Sequence, residues 1–217
     1  MMTKAVIFDM DGVIFDSERA VYNGWLELAA KYNFKDIEMI YMKSIGVNST
    51  VTRQIFMDYY GEDFPYDEYK KEQSYNYHEK YSNGRLPMKP GIKELLIGLK
   101  EKGCKIAIAS STRKELVEKQ IEDAGLRKFF DVIVGGDMVE KSKPEPDIFL
   151  KAAKLLDVQP EQAYVIEDSY NGIRTAFTGG MIPIMVPDML EPDDEMKEKA
   201  QYIFKDLYEV KEFLLAS

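Results

Sequence analysis

A single cysteine, Cys104, among 217 residues excludes an internal disulfide, so the fold must hold by packing. That usage suits a reducing compartment, and the expected location is the cytoplasm. No apolar stretch approaches the roughly 18–20 residues that a membrane span requires. The opening Met1-Met2-Thr3-Lys4 runs straight into a strand-like segment without the layout of a signal peptide. Basic charge is also scarce. Lys plus Arg number 29 against 38 Asp plus Glu, a formal net charge of −9, so the basic footprint that nucleic-acid binding needs is missing. A small anionic substrate is not excluded, because one pocket can be locally positive on an acidic protein. With 14 Gly and 9 Pro the chain is neither collagen-like nor of low complexity, and 45% hydrophobic residues is too many for a disordered chain. Its length suits one substantial core plus a smaller module, and a monomer is expected.

Short apolar runs alternate with segments of helical period. Strands are predicted at residues 5–8 (AVIF), 105–110 (KIAIAS), 131–135 (DVIVG), 163–167 (AYVIE) and 181–186 (MIPIMV). Continuous apolar runs of this length suit strands covered on both faces, as in a parallel sheet. Helices are predicted at 92–102, ending at Gly103, at 113–124, ending at Gly125, and at 147–156 after Pro144 and Pro146. From residue 91 onward this is the doubly wound α/β pattern. Residues 17–86 break it: they are helix-periodic and carry 10 of the 14 tyrosines. They read as an all-helical cap inserted after strand one, with linkers near Asp16-Ser17 and Gly84-Arg85-Leu86-Pro87. The core is then 1–16 plus 87–217.

Four polar clusters stand at the carboxyl ends of predicted strands, where open α/β sheets bind ligands. Asp9-Met10-Asp11-Gly12 offers two carboxylates that can divide attack and proton handling. A calcium loop starting at Asp9 would need oxygen side chains at Val13 and Ala20, which have none. Ser110-Ser111-Thr112-Arg113 opens a helix, where hydroxyls and free amides can seat a phosphate or simply cap the helix. Lys143 precedes Pro144, which fixes the backbone beside it; it can neutralise charge on an attacking carboxylate and a phosphoryl group, or merely be solvated. Glu167-Asp168-Ser169 suits Mg²⁺, a hard cation satisfied by few carboxylates plus water, or else supplies a helix cap. The single histidine, His78, lies among Tyr75, Tyr77 and Tyr81 and reads as a solvent-side or packing residue. Cys104 reads as an inert thiol. The cap tyrosines read mostly as packing, with one or two available to line a substrate cavity, and 191–199 as a charged surface helix with its approach loop.

In order and content these motifs resemble the haloacid dehalogenase-like phosphohydrolase superfamily, in its β-phosphoglucomutase-like and phosphoglycolate-phosphatase-like branch. The resemblance covers nearly the whole chain, cap included. It implies a Rossmann-like core and a covalent mechanism in which Asp9 is the nucleophile and Asp11 the general acid and base. It implies that Ser110, with Ser111 beside it, binds the transferring phosphoryl group while Lys143 screens charge. Mg²⁺ would be held by Asp9, Asp168 and the Asp11 backbone carbonyl, with Glu167 at or just behind the metal. Asp11 separates the chain from true dehalogenases, which lack an acid there. Residues 46–50 (GVNST) resemble the cap loop that meets the leaving group.

The expected activity is thus Mg²⁺-dependent hydrolysis of small phosphate esters, sugar phosphates above all. Two alternatives compete. One is a sugar-phosphate mutase; mutases of this branch carry a histidine ten residues after the acid/base Asp, where this chain has Val21. The other is a receiver-like signalling module, which is shorter, has its acceptor Asp after a middle strand and has no place for the inserted cap.

Overall fold

The computed structural model describes residues 5–47 and 49–216. Residues 1–4 and Asn48 of the 46–50 loop lie outside the described residues. Strands β1 (Ala5–Phe8), β2 (Lys105–Ser110), β3 (Val132–Gly135), β4 (Ala163–Glu167), β5 (Ile182–Met185) and β6 (Tyr202–Ile203) form one parallel sheet in the order β3-β2-β1-β4-β5-β6. The order reverses between β1 and β4, which makes the carboxyl ends of those two strands the switch-point crevice of a doubly wound sheet. The strand β6 was not predicted: two residues between Gln201 and Phe204 carry no readable period, and the pairing is held by Gln201 N on Pro183 O and Phe204 N on Met185 O.

After β1 come α1 (Ser17–Tyr32), α2 (Ile37–Ser44), α3 (Ser49–Tyr60) and α4 (Tyr66–Tyr81). They surround their own apolar cluster, in which Trp25 lies 4.7 Å from the Phe56 ring and 5.8 Å from that of Tyr66. The chain then returns through α5 (Ile92–Glu101), α6 (Lys114–Asp123), α7 (Asp147–Leu155), α8 (Tyr170–Thr178), α9 (Asp194–Lys199) and α10 (Leu207–Ala216). The two linkers pair as a short ribbon. Asp16 N donates to Pro87 O at 2.9 Å, Lys89 N donates to Ile14 O at 2.9 Å, and Phe15 bridges Met88 antiparallel.

Side-chain alternation sorts the sheet into two faces. Val6, Phe8, Ile106 and Ile108 point into the cluster that holds Leu95, Leu99 and Val210 of α5 and α10. Ala5, Ile7, Ala107 and Ala109 point into the other, with Phe149, Ala152 and Ala153 of α7. Small residues on that second face let α7 lie close to the sheet. Predicted boundaries shift by a residue at several ends. Asp131, expected to open β3, instead accepts from Ile106 N at 2.7 Å and from Lys100 through its carboxylate.

Candidate active site

Strand register decides which polar side chains meet. Phe8 of β1 pairs with Ile166 of β4, so Asp9 and Glu167 leave adjacent strands side by side. Asp9 continues the parity of Ala5 and Ile7, and Glu167 that of Ala163 and Val165, so both fall on the α7 face. Lys143 reaches the same place from the loop before α7, its ammonium 4.8 Å from the centre of the Phe149 ring. Lys143 Nζ donates to Asp9 Oδ1 at 2.6 Å and to Glu167 Oε1. Its side chain is 9% exposed, so this lysine is not a solvated one.

The Glu167 carboxylate is fully engaged. Oε1 takes the Lys143 ammonium, while Oε2 accepts from the amides of Asp168 and Ser169 and from the Ser169 hydroxyl. Ser169 also caps α8 by accepting from Gly172 N at 3.0 Å, so the capping alternative holds for Ser169 and not for Asp168. Gly172 is required by contact: a Cβ there would fall 1.8 Å from the Glu167 carboxyl.

Asp11 accepts from the Ser17 hydroxyl at 2.7 Å, a contact across the first linker. Burial raises its pKa, opposed by the bonds from Ser17 and the Thr112 side chain and by the charge of Lys143. Ser110 is buried, and its hydroxyl accepts from Thr112 N at 3.1 Å. Ser111 beside it is exposed. None of the run caps α6: Arg113 holds the cap position with no side-chain bond to the helix, and the Lys114 amide is taken by the Asp137 carboxylate at 2.7 Å. The cap reading of the Ser-Ser-Thr run therefore fails, and the bond to Lys114 is supplied from the turn after β3.

Asp168 lies directly on Gly12, whose φ is +76°; a Cβ there would sit 2.1 Å from Asp168 Oδ2. Any other residue at 12 would occupy the carboxylate's space and strain the backbone. Asp9, Glu167 and Asp168 offer oxygens within 4.8 Å of one another. Burial raises the Asp9 pKa to about 8, the charges of Glu167 and Asp11 adding to it and Lys143 opposing, and burial with repulsion raises Asp168 as well. Lys143 is shifted upward: burial lowers it, but Asp9 and Glu167 outweigh that. Negative charge in surplus over one ammonium, in an all-oxygen donor set, is what a hard divalent cation neutralises. The residues present fit Mg²⁺, with Asp9 and Asp168 the carboxylates that have capacity left and Glu167 already committed to its four donors.

The cap adds polar groups that sequence reading missed. Glu18, next to Ser17, has its pKa raised by burial and by Asp11, and its carboxylate accepts from the Tyr41 hydroxyl at 3.3 Å. Burial also raises the hydroxyl pKa of Tyr77, with Asp11 and Glu18 adding to it. Lys70 on α4 reaches solvent, yet desolvation by the surrounding protein lowers its pKa. Its ammonium lies 3.4 Å from Gln73 Oε1, and among the described residues no carboxylate pairs with it within 4 Å. Glu18, Tyr41 and Lys70 come from three helices, so no local motif could have announced them. The cap loop touches the core where Asn171 Nδ2 donates to Gly46 O at 2.9 Å. His78 is exposed and Cys104 buried, both apart from this group. A surface cavity of about 510 Å³ between α1 and α2 contains none of the predicted site residues.

Comparison with known proteins identifies the family. The family model described as "Haloacid dehalogenase-like hydrolase" matches residues 6–186. The chain is 33% identical to the phosphorylated carbohydrates phosphatase of Thermotoga maritima over 178 residues, 82% of each protein. It is 30% identical to the beta-phosphoglucomutase of Bacillus subtilis over 191 residues, covering 84% of this chain and 83% of that one. Among solved structures, CbbY from Rhodobacter sphaeroides in complex with phosphate superposes with a TM-score of 0.72 at 26% identity, over 96% of each chain. With Asp9 after β1, the buried Lys143 and the acid pair Glu167-Asp168 at the end of β4 converging at the switch point of this sheet, and with the family model matched over residues 6–186, the chain belongs to the haloacid dehalogenase-like hydrolases.

Proposed function

We propose that this hydrolase is a Mg²⁺-dependent phosphatase of small phosphorylated metabolites, sugar phosphates first among them, working through an aspartyl-phosphate on Asp9. The observation that carries it is the buried Asp9–Lys143–Glu167 cluster with Asp11 two residues from the nucleophile and bonded to Ser17. In the first step an Asp9 carboxylate oxygen forms a bond to phosphorus as the ester P–O bond breaks, and Asp11 gives its proton to the leaving oxygen. In the second, Asp11 takes a proton from water, whose oxygen attacks phosphorus and releases Asp9 and inorganic phosphate. The raised Asp11 pKa suits a group that must begin as an acid. Ser110, Ser111 and the Thr112 segment would receive the phosphoryl oxygens. Lys143, held by Glu167, would balance charge on Asp9 and the phosphoryl group. Bound Mg²⁺, held by Asp9, Asp168 and the Asp11 carbonyl, would neutralise further phosphoryl charge.

The carbohydrate assignment draws on the Thermotoga maritima relative's name. It is also supported by the hydroxyl-bonding groups Glu18, Tyr41 and Lys70 around the leaving-group side of Asp11. All the proposed site residues come from one chain, which suits a monomer, and a single cysteine, Cys104, that excludes an internal disulfide suits a cytoplasmic enzyme. Among the described residues no helix is long and apolar enough to cross a membrane. The test is phosphate release, with and without Mg²⁺, over sugar phosphates, phosphoglycolate, polyol phosphates and nucleotides. Turnover confined to metal-loaded protein and abolished in Asp9→Asn is expected; turnover in excess chelator, or surviving in Asp9→Asn, refutes the reading.

A further inference from the structure

Four charged side chains converge on the hinge ribbon from three parts of the chain. Asp16 and Lys89 belong to the paired linkers, Arg19 to the first turn of α1, and Asp188 to the turn after β5. The Asp188 side chain is 2% exposed; it accepts from Lys89 Nζ at 2.7 Å and lies 3.7 Å from the Arg19 guanidinium. Arg19 also stands 3.6 Å from Asp16, and Lys89 Nζ 3.6 Å from the same carboxylate. Asp16 Oδ1 and Asp188 Oδ2 are buried and accept no hydrogen bond. Buried carboxylate oxygens are normally satisfied. Here two stand empty beside an arginine that is half exposed and makes ion pairs without hydrogen bonds. The cluster therefore has spare acceptors on the core and hinge, and spare donors on the cap, which is the requirement for an ion-pair set that can tighten.

Its connection to chemistry runs through one helical turn. Arg19 follows Ser17, which donates to Asp11, and Glu18, which feels the charge of Asp11. Whatever fixes Arg19 against the core fixes the register of Ser17 and Glu18 against the acid/base carboxylate. We propose that Asp188 is a positioning residue for the phosphatase reaction: from the core it clasps Lys89 of the hinge and Arg19 of the cap, and so sets how the first cap helix meets Asp11. The kinetic half of this proposal rests on the phosphatase reading above; the clasp itself does not.

The test uses full-length Arg19→Met, Asp188→Asn, Asp188→Glu and the Arg19→Met/Asp188→Asn double variant. Spin labels at two exposed positions, Tyr75→Cys on the cap and Leu116→Cys on the core, read the cap–core distance without any need for activity. Arg19→Met, at a half-exposed site that folding tolerates, is expected to broaden or shift that distribution. Asp188→Glu should keep it closer to wild type than Asp188→Asn does. A distribution unchanged in every variant overturns the clasp. In kinetics, Arg19→Met and Asp188→Asn are each expected to lower kcat for the best sugar phosphate about tenfold, the scale of one lost charge-assisted contact, and Asp188→Glu less. The double variant should fall no further than the worse single one, because both act on one cluster. Additive losses, or a lower melting temperature with untouched kcat and KM, overturn the positioning role. A wild-type protein that releases no phosphate fails the functional reading alone, and the label distances still decide the clasp.

Discussion

Lys143 Nζ stands 2.6 Å from Asp9 Oδ1 with both side chains 9% exposed, and the same ammonium contacts Glu167, which is 1% exposed. An ion cluster this dry is held together by its geometry, because separating any member strands a buried charge. Lys143→Met is therefore expected to do two things at once. It should cut turnover by about 10²–10³-fold, the usual worth of a positioned charge at developing phosphoryl charge. It should also destabilise the fold by about 3–5 kcal/mol, as removal of one partner from a buried pair does. Activity with chaotrope unfolding on the same preparation checks both; a solvated lysine would give neither effect.

Asp9→Asn separates chemistry from folding. The amide is nearly isosteric but is a poor nucleophile and a worse metal ligand. Turnover is expected to drop more than about a hundredfold, with an unchanged far-ultraviolet circular dichroism spectrum. Rapid-quench trapping of a labelled phosphoryl group on wild-type protein and none on the variant would tie the loss to Asp9.

The crowded carboxylates predict a pH dependence of metal stabilisation. Asp9 has a folded pKa of about 8, above its ordinary value of 3.8, because burial and the neighbouring acids disfavour its charge. A raised carboxylate contributes stability that is present below the ordinary value and is lost as pH rises through the folded one. Metal-free protein should therefore lose stability from this group between about pH 4 and pH 8. On the proposed metal assignment Mg²⁺ would bind the charged form, so its effect on the melting temperature should grow across the same window. Melts at pH 5.5, 7 and 8.5 with and without the ion read it. An increment independent of pH would mean that Asp9 is not among the ligands.

Much of the core was legible because β1, β2 and β4 are uninterrupted apolar runs ending in polar clusters, and a parallel sheet lines up such ends. Asp9, Asp11, Ser110, Lys143, Glu167 and Asp168 could be nominated from that rule together with the family resemblance that the four clusters carry jointly. The sequence does not reveal which carboxylate is spent on holding another residue. The engagement of Glu167 with Lys143 and two amides depends on a turn geometry that only the folded loop shows. Glu18, Tyr41, Lys70 and Asp188 were invisible for a different reason. They lie on separate elements, and periodicity says which face of a helix is apolar but not which polar group on the other face meets a distant strand end.

The cap group makes its own prediction. Lys70 has a lowered pKa and no carboxylate partner within 4 Å among the described residues, and it lies near enough to Glu18 for each to feel the other's charge. Lys70→Met is expected to raise KM for a sugar phosphate about tenfold while changing kcat less, the signature of lost ground-state binding. Steady-state kinetics check it, and an unchanged KM would assign Lys70 to the cap's surface.

Hydrolysis against mutation turns on what Asp11 touches. The sugar-phosphate mutases that this chain resembles carry a histidine ten residues after the acid/base Asp, placed to withhold that acid until sugar binds. Here the position is Val21, which packs against the cap's aromatic cluster and can neither donate nor accept a hydrogen bond. The two neighbours able to substitute are otherwise placed: Arg19 is turned to Asp16 and Asp188, and Asn23 is exposed. What holds Asp11 instead is the Ser17 hydroxyl at 2.7 Å. That bond orients the carboxylate without taking it out of reach of water. If Asp9 carries a phosphoryl group as proposed, no hydrogen bond to Asp11 among the described residues makes proton abstraction from water wait for a sugar hydroxyl, and water is the more abundant nucleophile. Incubation with β-glucose 1-phosphate and a trace of the 1,6-bisphosphate, followed by phosphorus NMR, should therefore show inorganic phosphate accumulating. Conversion to glucose 6-phosphate with negligible phosphate release would instead mean that another group performs the withholding, and the chain would be a mutase despite Val21.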